Sequence, residues 1–159
     1  MPFPVILHAF LIGFVSGLRS MMGPAAVSWA AHLGWIDLSG TALAFLGYTA
    51  TPYVLSLLAV GELIVDKLPA TPSRKAPPGF AGRIVLGAFS GYALTMGLGQ
   101  SGVVGAVLGG LGAVAGTLGG YEARTRLVRS VGAPLGIALL EDAVAVILGF
   151  FVTHHNRPF

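Results

Sequence analysis

Long apolar stretches follow one another along nearly the whole sequence, and this pattern limits the fold more than any other feature. A helix needs about 20 residues to cross a hydrocarbon core of about 30 Å. Charged residues make up 9% of the chain, against about 25% in a typical soluble domain, so they are too few to cover a water-facing surface. The sequence therefore predicts an all-α fold, a polytopic transmembrane helical bundle that forms a single domain over residues 1–159 and has the lipid bilayer as its surroundings.

The apolar stretches divide into helices at polar or proline-containing interruptions. Six segments are predicted: 3–22, 24–36, 41–67, 82–98, 102–121 and 134–153. The second is short for a full span, and Pro52 predicts a kink or break in the third. In a second interpretation, residues 3–33 form one long broken helix, and the bundle has five helices.

A short internal similarity predicts an inverted three-plus-three repeat. Residues 11–23 read LIGFVSGLRSMMG, and residues 85–97 read VLGAFSGYALTMG. Three helices in each half would make the halves run in opposite directions, as in many transporter folds. The halves would be 1–69 and 81–153, joined by a cytoplasmic loop at 70–80. Chance similarity between two glycine-rich helices is the alternative explanation.

Basic residues are concentrated in two polar interruptions, 67–83 and 122–130. With six helices, both lie on the same side of the membrane as Arg19. An excess of Lys and Arg marks the cytoplasmic side, so both loops are predicted to be cytoplasmic and both termini outside, in a bacterial inner membrane. Five helices would place the N-terminus inside. Because orientation explains the basic residues, nucleic acid is not expected as a partner.

The fifth segment carries glycines at intervals of three or four residues, which places them on one helix face. They are Gly105, Gly109, Gly112, Gly116 and Gly120. Such a glycine zipper lets two helix backbones approach closely. We expect it to pack against another helix of the same chain or of a second copy. The protein is also expected to form a homo-oligomer, and a dimer is the favoured form.

Ionisable residues inside the predicted spans are the main candidates for function. A charge at mid-bilayer costs about 2.5–3.5 kcal/mol on insertion scales, so it needs a partner or a role. Two acids lie in the third segment, two in the sixth, and two arginines serve as counter-ions. The predicted substrate or ion pathway is a polar cavity in the cytoplasmic half, lined by Glu62, Glu141, Asp142, Arg19, Asp66 and Arg83. In the other interpretation, these groups only pair with one another and orient the helices.

Catalysis, cofactors and metals are not expected. The chain has no cysteine, which excludes disulfides and thiolate chemistry. It contains no GxSxG, HExxH or Walker pattern, so the protein is predicted not to be an enzyme. His154 and His155 lie side by side in a tail that is predicted to be solvated rather than to bind a metal. Arg74 and Lys75 are predicted to contact lipid headgroups.

Four segments, together with the glycine stripe, resemble a known family. They are GLRSMMGPAA (17–26), GELIVDKLPATPSR (61–74), GRIVLGAFSG (82–91) and LLEDAVAVILG (139–149). The chain resembles a bacterial family of small multipass membrane proteins catalogued as a domain of unknown function. The resemblance covers most of the chain and implies a multipass membrane protein, but it brings no activity with it.

The function predicted from these features is a transporter or channel for a small solute or ion. One alternative is a structural or accessory subunit that does not transport and whose glycine face docks a partner helix. A second alternative is a membrane protein that binds lipid phosphate through Arg19, Arg74, Lys75 and Arg83.

Overall fold

Six α-helices and one short 3-10 helix form the structure, a computed structural model that describes residues 1–66 and 76–155. The helices are α1 (Phe3–Leu18), α2 (Met22–His32), α3 (Ala50–Val65), α4 (Pro77–Gly97), α5 (Gly102–Val131) and α6 (Pro134–His154). The 3-10 helix, Ala44–Gly47, precedes α3. The described residues contain no strand, so the all-α class is confirmed, and of the two helix counts that the sequence left open, five and six, the structure has six.

Two helices, α5 and α6, are long and apolar enough to cross a membrane. They have 30 and 21 residues. Helices α1 and α3 are also apolar but have 16 residues each, which corresponds to about 24 Å of helix. By length and composition, the structure thus contains two candidate membrane-spanning helices.

α1 and α2 are separate helices that run in opposite directions. The chain leaves α1 at Arg19, whose backbone is extended with φ −142° and ψ 112°. Gly23, at the start of α2, lies back against α1, because a β-carbon added there would overlap Ser16 Oγ and lie 3.2 Å from the Ile12 carbonyl oxygen. A single broken helix over residues 3–33, as the five-helix interpretation required, does not occur.

The helix α5 packs against both α1 and α4, which also contact each other, and its glycines allow both neighbours to approach closely. Each glycine of the predicted zipper faces another helix without room for a β-carbon: Gly105 and Gly109 face α4, Gly112 and Gly116 face α1, and Gly120 faces Leu18 of α1 and Glu141 of α6. At Gly109, an added β-carbon would overlap the carbonyl oxygen of Gly87. The zipper therefore packs within the chain.

The two similar segments occupy related places on α1 and α4. Gly13 and Gly87 occupy matching positions in the two segments, and both face Gly109 of α5. Near the start of α4, Arg83 donates a hydrogen bond to the carbonyl oxygen of Gly17 near the end of α1, so the two helices are antiparallel. In a three-plus-three repeat, α2 would correspond to α5, but α2 has 11 residues and α5 has 30. The likeness is seen in α1 and α4, and a repeat of whole halves stays a prediction.

Residues 122–130 are helical rather than a loop, which corrects the predicted end of the fifth helix. No glycine or proline interrupts residues 121–131, and Arg126 Nε donates a 2.7 Å hydrogen bond to Glu122 Oε1 one turn away. Such a pair supports a helix. α5 ends where Gly132 adopts a left-handed conformation with φ 69°, a common helix stop. The polar residues form the exposed end of a helix.

Prolines lie in the first turn of several helices, because the first turn of a helix tolerates the missing N–H. Pro52 lies in the first turn of α3, so the predicted break near this residue is where the helix begins. Pro77 and Pro78 open α4 inside the predicted loop 70–80. Both helices therefore differ from the predicted segments at their N-terminal ends.

Candidate functional site

A buried arginine lies where the chain turns between α1 and α2. The Arg19 backbone N–H donates to the carbonyl oxygen of Val15 at 2.9 Å, which closes the last turn of α1. Its side chain is 1% exposed and points into the bundle. Because a guanidinium stays charged, burial at this position requires anionic partners.

These partners come from two helices that lie far from Arg19 in the sequence. Arg19 Nε donates a 2.7 Å hydrogen bond to Oδ1 of Asp142 in α6. Arg19 Nη1 bonds the carboxylate of Asp66 at the end of α3, and Nη2 lies 3.8 Å from Oε2 of Glu141. One guanidinium thus joins α3 and α6 at the turn between α1 and α2.

A second buried arginine, Arg83 of α4, supports the same acids from the other side. Its Nη2 lies 3.7 Å from Glu62 Oε1 and 3.8 Å from Asp66 Oδ2. Its Nη1 donates to the Gly17 carbonyl oxygen at 3.3 Å. Asp66 therefore lies between Arg83 and Arg19, and α4 belongs to the same network.

Glu62 also caps the start of α2. One carboxylate oxygen accepts hydrogen bonds from the backbone N–H and the hydroxyl of Ser20, both at 2.7 Å, and the other accepts from the Met21 N–H at 2.9 Å. A helix N-terminus carries unpaired N–H groups and partial positive charge, both of which favour a carboxylate. The sequence did not reveal this role, because the acid and the amides it caps are about 40 residues apart.

A seventh residue belongs to the network and was missed from the sequence. Arg124 of α5 is partly exposed, and its Nη1 lies 3.9 Å from Glu141 Oε2. The sequence pattern predicts a polar loop at residues 122–130, whereas α5 continues through them and brings Arg124 beside α6. We refer to Arg19, Glu62, Asp66, Arg83, Arg124, Glu141 and Asp142 as the Arg19 cluster.

The structure thus brings all six predicted pathway residues together at one end of the bundle. They come from the α1–α2 turn, α3, α4 and α6, and they form ion pairs with one another. Mutual pairing is the arrangement that the second interpretation of these charges described. The proposed headgroup residues Arg74 and Lys75 lie outside the described residues.

One cavity borders the cluster, and a second lies beside α2 without contacting the charged residues. The first, of about 220 Å³, lies between α1, α5 and α6, and Glu141 and Arg124 line it among apolar side chains. The other, of about 370 Å³, lies between α2, α3 and α6. We call this second one the α2–α3–α6 cleft, lined among others by Ala25, Ala26, Trp29, Ala59, Gly149 and Phe150. Met22 also lines it, one residue after the Met21 amide that Glu62 caps.

At the opposite end, histidines pack among aromatic rings. The ring of His155 lies 5.4 Å from that of His8, and the ring of His154 lies 5.1 Å from that of Trp35. The predicted solvated tail is therefore wrong for His154, which is half-buried at the end of α6. Within residues 1–66 and 76–155, no group of three His, Cys, Asp or Glu side chains is placed to hold a metal ion.

Comparison with known proteins found no family model, no curated protein and no solved structure that matches this chain.

Proposed function

We propose that this protein is an integral membrane protein with six membrane-crossing helices that transports a small solute or ion. The Arg19 cluster closes the pathway at the cytoplasmic end. The observation that carries the proposal is the placement of one buried guanidinium, at the turn between α1 and α2, between acids of α3 and α6. Ionisable residues buried within membrane-spanning bundles often mark substrate and ion pathways.

The apolar exterior supports the membrane setting. Large hydrophobic side chains face outward on α3, α5 and α6, with Leu57 at 73%, Val103 at 71% and Ile147 at 67% exposed. Soluble monomers rarely expose continuous apolar surface on this scale. The shorter helices α1, α2 and α3 would be accommodated by local thinning of the bilayer or by flanking residues that reach the interface.

The direction of the chain supports an assignment of the cluster to the cytoplasmic side. Arg19, Arg83 and Arg124 all lie at the end where α1, α3 and α5 finish in the bundle. Cytoplasmic ends of membrane proteins are enriched in Arg and Lys. Both termini then lie outside.

The weak packing of α3 supports a transport mechanism in which this helix moves. Across the described residues, α3 and α6 pack on α2 and hardly on each other. Pro52 and Ala59 are the buried residues of α3. The ion pairs of Asp66 and Glu62 therefore hold the end of α3 that apolar packing does not. Protonation or ion binding at these carboxylates would weaken that hold and let α3 separate from α6.

The two alternative functions draw less support from the geometry. The glycine face that was to dock a partner helix is used by α1 and α4 of the same chain. Arg19 and Arg83, which were to bind lipid phosphate, are already engaged by carboxylates. A homo-oligomer remains a prediction. Its interface would have to use a surface other than the glycine zipper.

Single cysteines test the proposal, because the natural chain has none. We would place Ala25→Cys in the cleft, reconstitute the protein in liposomes, and measure the rate of labelling by a charged maleimide that does not cross membranes. Adding Asp142→Asn should raise this rate on the order of tenfold, because a change of about 1.4 kcal/mol in the equilibrium between closed and open states suffices. Circular dichroism of both proteins should show the same helix content, so that faster labelling reports opening of the cleft rather than unfolding. Leu57→Cys, which faces outward, serves as the unlabelled control.

Flux is measured on the same preparations. Liposomes loaded with a pH-sensitive dye should acidify faster with the wild-type protein than without protein after an external acid step, and Glu62→Gln should abolish the difference. Glu122→Gln, which removes an exposed pair on α5, should leave it unchanged. If Ala25→Cys is labelled only after denaturation, in both the parent and Asp142→Asn proteins, the cleft does not open and the proposed pathway is wrong.

A further inference from the structure

We propose that the α2–α3–α6 cleft binds a small, uncharged, apolar molecule that enters from the bilayer. As a statement of substrate class, this rests on the proposed transport function. As a statement about binding, it can be tested separately. The cleft has a volume of about 370 Å³, within the range of roughly 300–1,000 Å³ typical of small-molecule sites.

Small side chains create the space. Ala25 and Ala26 of α2 form the floor, and Ala59 of α3 and Gly149 of α6 line the two walls. α3 and α6 pack on α2 and hardly on each other in the described part of the chain, and the space between them is open beside Ser56 and Ala59 of α3 and residues 146–153 of α6. Val146 and Phe150 at the rim are about half exposed, so the opening faces the same surroundings as the outer face of α6.

The lining offers aromatic faces and few hydrogen bonds. Trp29, Trp35 and Phe150 provide three ring systems. The indole Nε1 of Trp29 already donates to Ser56 Oγ at 2.9 Å. The hydroxyl of Thr153 already donates to the Gly149 carbonyl oxygen at 2.9 Å. The rest of the lining is almost entirely apolar, so a ligand with several hydrogen-bonding groups would leave most of them unpaired, and the lining favours a molecule with few such groups.

Charge in the ligand is disfavoured for a similar reason. No Asp, Glu, Lys or Arg lines the cleft among the described residues. A charged group placed there would lose its hydration without gaining a counter-ion. Aromatic rings favour stacked and edge-on contacts with other rings, so an aromatic hydrocarbon of one or two rings fits this lining.

The two tryptophans make binding directly observable. The chain contains two Trp residues, and both line the cleft. A heavy-atom quencher in the cleft must therefore reduce the fluorescence of the whole protein. We would use 1-bromonaphthalene as an uncharged apolar probe, with the protein in lipid nanodiscs at a fixed lipid ratio. Wild-type protein should show saturable quenching on top of the linear quenching caused by probe dissolved in lipid.

Filling the cleft should remove the saturable part. Ala59→Leu adds bulk from α3 and Val146→Phe adds bulk from α6, and each should weaken apparent binding by at least tenfold. Val146 is half exposed, so its substitution keeps the test valid if Ala59→Leu fails to fold. The matched control is Gly61→Leu on α3, where an added side chain begins in open space. This control should keep wild-type quenching.

A second set of nanodiscs tests whether a lipid chain fills the cleft instead. These contain phosphatidylcholine with brominated acyl chains and no probe. Three results together would show that a lipid chain occupies the cleft and would overturn the proposal. The brominated lipid quenches wild-type protein, both filling variants lose this quenching, and bromonaphthalene does not displace the lipid chain. Linear quenching by bromonaphthalene, equal in all variants, also overturns it. Saturable quenching without cysteine labelling of the cleft would support the binding site and contradict the proposed transport function. Cysteine labelling without saturable quenching would contradict the binding site and be consistent with transport of a different class of solute.

Discussion

Arg19 Nε donates a 2.7 Å hydrogen bond to Asp142 Oδ1, which joins two residues that are 123 positions apart in the chain. Both side chains are buried, at 1% and 7% exposure of their residues. Neither charge is stable alone in an apolar interior, so each one fixes the position of the other. This bond ties the α1–α2 turn to α6 and gives the cluster its centre.

Removing one partner of this pair should destabilise the protein strongly. Asp142→Asn leaves the buried guanidinium with one anion fewer, and we expect a loss of about 3–5 kcal/mol in the free energy of unfolding. Chemical unfolding in detergent, followed by circular dichroism, measures it. The double variant Arg19→Gln with Asp142→Asn should lose clearly less than the sum of the two single losses. Additive losses would show that the two side chains do not stabilise each other.

An exposed ion pair provides the comparison for that experiment. Arg126 Nε lies 2.7 Å from Glu122 Oε1, but both side chains are more than half exposed. Water screens such pairs, and Glu122→Gln should change the unfolding free energy by less than about 0.5 kcal/mol. A loss as large as that of Asp142→Asn would mean that burial is not what makes the Arg19 cluster strong.

Substitutions along α5 should affect stability differently at zipper glycines and at glycines that face outward. Gly109→Ala forces a β-carbon into the Gly87 carbonyl and should cost about 1–3 kcal/mol, as overpacking does. At Gly119, an added β-carbon meets nothing within 4 Å. Gly119→Ala should therefore be neutral or stabilise the helix by up to about 1 kcal/mol. Thermal unfolding of both variants in the same detergent measures the contrast, and equal effects would contradict the packing.

Loss of the Glu62 cap should loosen the first turn of α2. Glu62→Ala leaves the Ser20 and Met21 amides without their acceptor and also removes an anion beside the buried Arg83, so it should cost more than the about 0.5–2 kcal/mol of a lost cap alone. Glu62→Gln keeps one acceptor oxygen and should cost less. Hydrogen exchange resolved by mass spectrometry should become faster at residues 20–25 and stay unchanged in the second half of α6. Uniformly faster exchange would mean that Glu62 stabilises the whole fold rather than this turn.

The pKa of Asp37, in the connection after α2, should depend on Ser39. The Ser39 hydroxyl and backbone N–H donate to Asp37 Oδ1 at 2.5 and 2.8 Å, and these bonds lower the pKa of this carboxyl below its usual value. A lowered folded-state pKa contributes stability above the unfolded-state pKa, and this is lost as pH falls through the folded-state value. Ser39→Ala removes the hydroxyl and should raise the Asp37 pKa, which a carboxyl NMR titration in micelles measures. Ser101→Ala, in another turn, should leave it unchanged.

Several features followed from local sequence alone. Low charge and long apolar segments are enough to predict helices, and glycine spacing on one face is enough to predict close packing, because both depend on residues within a few turns of one another. The position of a helix boundary near Pro52 belongs to this group, whereas the sequence left five and six helices open and the structure has six. The expectation that charges within the apolar segments need oppositely charged partners also belongs here, because the cost of burying an isolated charge does not depend on the fold.

Other features needed the tertiary structure, because they join residues that are far apart in the chain. The sequence did not show that Glu62 caps α2, that Arg124 reaches Glu141, or that the zipper faces α1 and α4 of the same chain. It also placed a loop where α5 continues to Val131, since polar residues at an exposed helix end look like those of a turn. The sequence determined that these charges had to be paired. The arrangement of the helices around the α1–α2 turn decided which carboxylate pairs with which arginine.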